Sequence, residues 1–196
     1  MDQVLTILSG LARELILDAD DLASVDALAV AAQAGGESGV TALLQLARLT
    51  SEAADDAGAV TDAVDRVQDD SALWRMAGLV VVCFAAVRAD YPSRQDAQAA
   101  RTAISARAEI VYTEVSAYGP ETLAWLMSLT GVATRYLSRT AAERAPAVRV
   151  ETGISLPATV LAYQLYGDAG RAGELVDRNR ISTSLLMPVS FEAVAP

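Results

Sequence analysis

Residues 150–196 read VETGISLPATVLAYQLYGDAGRAGELVDRNRISTSLLMPVSFEAVAP, and their grammar differs from everything before them. Gly153 breaks a segment in which Val148 and Val150 predict an opening strand. Leu156-Pro157 then opens a helix with Pro in its first turn, where a missing N–H costs little. Val160, Leu161, Leu165 and Tyr166 give that helix an apolar stripe, and Gly167-Asp168 stops it. A second short helix turns Leu175 and Val176 inward, and Asn179 stands where a left-handed C-cap is wanted. Ile181 and the run Leu186-Met187-Pro188-Val189, with Phe191 and Val194 beyond, read as a turn and a closing strand. The order is strand, helix, helix, strand.

Outward from this stretch the chain reads as Ala-rich helix. Apolar residues at 4, 5, 8, 11 and 15 predict an amphipathic helix over 4–17. Asp20-Asp21 caps a second helix that Gly35-Gly36 stops, and Glu37-Ser38-Gly39 starts a third carrying Val40, Leu43, Leu44 and Leu46. Residues 51–70 are acidic and poor in large apolar side chains, so they read either as an exposed helix or as a mobile connector. Asp70 or Ser71 then caps a strongly apolar helix ending near Asp90. Tyr91-Pro92-Ser93 is a break, because Pro disfavours helix in the residue before it. Helices over 93–118 and 121–139 follow, separated by Gly119-Pro120. The fold expected is mainly α: an Ala-rich helical bundle over 1–146, then a small βααβ module over 147–196.

Composition narrows the function. The chain has 196 residues, 53% of them hydrophobic and only 5% aromatic, with a mean hydropathy of +0.29. That balance suits helix-on-helix packing rather than a deep aromatic pocket. Net charge is −10 and every one of the 15 basic residues is Arg. So acidic a chain disfavours free nucleic acid and anionic membrane. The run 76–87 lies between Arg75 and Arg88 and is shorter than the ~20 residues a membrane span needs. Met1-Asp2-Gln3 lacks the positive start of a signal peptide, and Arg13 and Glu14 interrupt the first apolar stretch, so cytoplasmic synthesis is expected.

Catalytic and metal-binding patterns are missing. There is no His, so a nucleophile has no imidazole base, and the single cysteine, Cys83, sits within the apolar run 76–87 as a small buried hydrophobe. Asp18-Ala19-Asp20-Asp21, Asp55-Asp56 and Asp69-Asp70 are carboxylate clusters without the continuation of a calcium loop. They read as helix caps and solvated faces. Gly35-Gly36 and Gly39 have neither the preceding strand nor the following Lys of a phosphate loop. The expectation is no enzyme, no metal and no cofactor.

The strand–helix–helix–strand order resembles the LysM module. The residues that carry the likeness are Thr152-Gly153 after the first strand, Leu165-Tyr166-Gly167-Asp168, Arg171, Arg178-Asn179-Arg180-Ile181 and the Pro before the last strand. More narrowly, LPATVLAYQLYGDAGRAGELVDRNRI is similar to the C-terminal part of the DNA-circularisation, or tail distal, proteins of Mu-like phages. The quoted match spans about an eighth of the chain, and the helices before it share only an Ala-rich style and a Tyr-Pro-Ser-Arg turn. The resemblance implies a non-enzymatic protein of the phage tail tip or baseplate. Such a protein would be assembled in the bacterial cytoplasm into the virion and would join the tail tube to the hub.

Its partners would be other copies of itself and tube or hub proteins, with no direct nucleic-acid contact. In sugar-binding LysM domains a groove lies between the loops that correspond here to 152–156 and 181–186. The polar Gly-Asp-Thr pattern of that family is replaced by Glu151-Thr152-Gly153-Ile154-Ser155. The alternatives are therefore an assembly joint, a peptidoglycan binder, or a helical tail-assembly adaptor or chaperone. Candidate partner-binding residues are Ile154, Leu186 and Met187 on the loops, with Arg171, Arg178 and Arg180. The arginines either pair with acidic helices of another copy or form a solvated face.

Overall fold

The structure is a computed structural model that describes residues 1–196, the side chain of Ser116 apart. Seven helices come first: α1 (Asp2–Leu15), α2 (Ala19–Ala32), α3 (Gly36–Glu52), α4 (Ala57–Arg66), α5 (Ala72–Arg88), α6 (Arg94–Glu114) and α7 (Pro120–Glu143). They are followed by β1 (Ala147–Glu151), α8 (Ala158–Tyr166), α9 (Ala172–Arg178) and β2 (Ser190–Val194). The architecture is mainly helical, with one two-stranded antiparallel sheet near the C-terminus. The chain divides into two compact units, Met1–Asp90 with Gln98–Arg139, and Tyr91–Ala97 with Thr140–Pro196. The division falls inside α6 and α7.

The first unit is built around α5. Met76, Ala77, Leu79, Val80, Val81, Val82, Cys83, Ala85 and Ala86 are all buried, so this helix is apolar on every side. It packs against α3 and α4, while α2 packs against α3. Small residues permit the close approach: a Cβ on Gly78 would meet Val64 Cγ1 at 3.3 Å. Arg88, in the last turn of α5, donates to the carbonyls of Ser51 in the last turn of α3 and of Ala54 just beyond it. No helix among the described residues is long and apolar enough to cross a membrane.

Local capping explains the helix starts. The cap of α2 is Asp18, whose carboxylate accepts from the N–H groups of Asp20 and Asp21, rather than the Asp20-Asp21 pair itself. Asp56 caps α4 and Ser71 caps α5, and Asp69 in turn accepts from the Ser71 N–H. The stretch 51–70 departs from expectation. It is neither an exposed helix nor a bare connector, because Ala57, Val60, Ala63 and Val64 of α4 are buried. A stripe of two Val and two Ala is narrow, yet it suffices where the facing helix offers Gly78.

The second unit has its own small core of Leu161, Leu175, Met187 and Phe191, with Ala158, Ala162, Ala172 and Ala193. β1 and β2 pair from Ala147 opposite Val194 to Glu151 opposite Ser190. Gly167 closes α8 in the left-handed conformation, as a stop there requires. At the end of α9 the left-handed residue is Arg180, with φ 51°, and not Asn179. Asn179 has another task. Its amide nitrogen donates to the carbonyls of Leu175 and Glu192, and its amide oxygen accepts from the Glu192 N–H. It thus joins the end of α9 to β2.

Candidate functional site

The loops on either side of the short helices are held together by backbone bonds. Thr152 N–H donates to Val189 O at 2.9 Å, and Met187 N–H donates to Leu156 O at 2.9 Å. Ala158 N–H donates to Ser184 O at 2.8 Å, and the Ser155 hydroxyl donates to Met187 O at 2.6 Å. Four bonds between 152–158 and 184–189 hold two otherwise irregular segments side by side. Each can then carry side chains outward without losing its own shape.

Those side chains are apolar. Ile154 is 63% exposed, Leu186 63% and Leu185 72%, and Val189 is also exposed. The structure therefore brings Ile154 and Leu186 onto adjoining loops. It removes Met187 from the set: this side chain is 0% exposed and belongs to the core. Its N–H is tied to Leu156 O, which turns the residue inward between Leu186 and Pro188. Leu185, a residue that the sequence does not single out, joins Ile154 and Leu186. Three consecutive apolar residues, 185–187, have no periodicity that reveals which one faces in.

The arginines need a sharper correction. Arg178 is neither a solvated residue nor one free for another copy, because its side chain is only 11% exposed and its guanidinium bonds the Asp96 carboxylate at 2.9 Å. Burial tends to raise the Asp96 pKa, but hydrogen bonds from Ser93 and Arg178 outweigh it and hold the carboxyl below its ordinary value. Arg171 bonds Glu174 at 2.8 Å, and its guanidinium lies 3.6 Å from the centroid of the Tyr166 ring. Burial, assisted by the nearby Glu174 carboxylate, pushes the Tyr166 phenol upward. Only Arg180 of the three is fully on the surface.

Elsewhere the chemistry is quiet. Burial pushes the Cys83 thiol to about 12, far from a thiolate nucleophile at neutral pH. No group of three or more metal-ligating side chains occurs among the described residues. A cleft in the first unit, lined by Val64, Trp74, Arg75, Arg107 and Ile110, contains two cations. Both are committed, Arg75 to Glu114 at 2.7 Å and Arg107 to Asp65, so the cleft offers no free positive charge for an anion. The two joined loops form an exposed apolar edge; other large apolar side chains stand exposed on helices, Val30, Ile110, Met127 and Val132 of the first unit among them. No protein-family model matches the chain, and comparison with curated proteins finds no significant relative.

Proposed function

We propose that the chain is a non-enzymatic structural protein of a phage tail, placed at the tail tip or baseplate. Its C-terminal unit acts as a LysM-like assembly joint. The observation that carries this reading is the outward set Ile154, Leu185 and Leu186 on two loops fixed to each other by backbone bonds. A sugar groove needs stacking aromatics and amides, and residues 152–157 and 181–189 contain neither. A protein contact suits them, since burying each such side chain is worth roughly 1.5–3 kcal/mol.

The tail assignment itself rests on the likeness of 156–181 to the tail distal proteins. In this reading the helical unit supplies bulk and lateral packing, and the joint docks on tube or hub proteins and on other copies. The chain reaches the virion after assembly in the bacterial cytoplasm. Mass spectrometry of purified particles tests it. The protein should be found in stoichiometric amount in tails. Its absence from particles, with retention in the lysate, would turn the reading to an assembly adaptor. Capture of the pure chain on peptidoglycan would turn it to a wall binder.

A further inference from the structure

A two-stranded sheet has two open edges, and here they are treated differently. The bonds Ala195 N–H to Pro146 O and Thr152 N–H to Val189 O fix the hydrogen-bonding phase of the ladder. Given the register, the backbone groups of Val148 and Val150 face β2, while those of Ala147, Arg149 and Glu151 face away. On β2 the outward residues are Ser190, Glu192 and Val194. Asn179 occupies Glu192 with two bonds of 2.8 Å, in the manner of a neighbouring strand. On β1, Gln95 does the same at Ala147, accepting its N–H at 2.7 Å and donating to its carbonyl at 3.2 Å. The outward groups of Arg149 and Glu151 have no such cover, and both residues are exposed.

We propose that this uncovered stretch of β1 is where two copies of the chain pair, antiparallel about a twofold axis at Val150. An uncovered strand edge is a template for another strand, and the charges here select the occupant. With the axis at Val150, Arg149 of each copy lies directly opposite Glu151 of the other. These are the residues whose backbone groups face outward, so they form hydrogen-bonded pairs, while Val150 meets its own copy. The exposed Val148 gains the second Val150 as a diagonal neighbour. Moving the axis by one residue either way sets Arg149 against Arg149 or Glu151 against Glu151, which cross-strand pairing disfavours. Gln95 at one end and Gly153, with φ 71°, at the other limit the pairing to this short stretch. The dimer is accordingly weak and symmetric. It uses the sheet edge, not the loop residues of the proposed joint, and stands whether or not the protein belongs to a tail.

Sedimentation velocity of the pure full-length chain over a concentration series tests it, with far-UV circular dichroism to confirm folding. Wild type should show a concentration-dependent monomer–dimer equilibrium. Glu151→Arg faces Ser190 across the β1–β2 ladder, so it spares that pairing. It should weaken the dimer roughly tenfold or more, since like charges then meet across the axis. Arg149 faces Glu192 across the β1–β2 ladder, so Arg149→Glu is added together with Glu192→Gln to keep like charges apart there, and this triple variant should restore the dimer by exchanging the pair. A wild type that stays monomeric at every concentration would overturn the proposal. So would a folded Glu151→Arg variant that dimerises like wild type, or a folded triple variant that fails to recover.

Discussion

The two units hold themselves together by different means. In the first, α5 is wrapped on all sides by apolar contacts, and ion pairs such as Arg75 to Glu114 and Arg107 to Asp65 add ties between helices. In the second, the core is small, and side-chain amides and ion pairs do much of the joining: Asn179 to β2, Gln95 to β1, Arg178 to Asp96. A unit that relies on polar ties can leave Ile154, Leu185 and Leu186 outside without losing its shape. The first unit leaves large apolar residues outside as well, Val30, Ile110, Met127 and Val132 among them, and these stand on helices.

The largest effect should come from the buried helix. Leu79→Ala is expected to cost about 2–5 kcal/mol, through lost burial and the cavity left behind. Urea unfolding followed at Trp74 in the same unit would measure it. A cost near zero would show that the first unit does not depend on close packing around α5. In the second unit, Asn179→Ala should cost about 1–3 kcal/mol although it deletes no apolar contact, because three hydrogen bonds are lost together. Hydrogen exchange at the Glu192 amide should rise in that variant. If it does not, the amide is not what holds α9 to β2.

Arg180 offers a change in the opposite direction. A side chain in the left-handed region costs about 1 kcal/mol, so Arg180→Gly should stabilise the second unit by about that amount in thermal unfolding. Asp96 gives the smallest effect, because it is partly exposed and its ion pair is screened. Its carboxyl is held below the ordinary value, so its contribution is present above the unfolded value of 3.8 and is lost as pH falls through the lower folded one. Wild type should therefore lose stability more steeply than Asp96→Asn below about pH 4. Parallel acid titrations of the two proteins would remove Asp96 from the account.

Much of this contrast was legible in the sequence. The helical stretches, the breaks at Tyr91-Pro92 and Gly119-Pro120, and the opening strand around Val148 and Val150 follow from periodicity and from turn residues. The closing strand is Ser190–Val194, with 186–189 left as loop before it; Pro188 has no N–H to give to a ladder. What was hidden depends on partners far away in the chain. Arg178 reads as a surface cation until Asp96, 82 positions earlier, is placed beside it. Asn179 reads as a cap until Glu192 reaches it, and Met187 reads as part of an apolar rim until Leu156 draws it inward. The narrow face of α4 reads as an exposed helix or a connector because the close approach at Gly78 has no local signal.

The central claim is that the joined loops of the second unit are a protein-docking edge. It is tested most directly by the double variant Ile154→Asp with Leu186→Asp, produced in place of wild type during phage growth and followed into purified tails. Both residues are exposed, so the isolated variant should unfold within about 0.5 kcal/mol of wild type. Incorporation into tails should be lost. Normal incorporation, together with loss of binding to purified peptidoglycan, would contradict the account and assign the same loops to the cell wall.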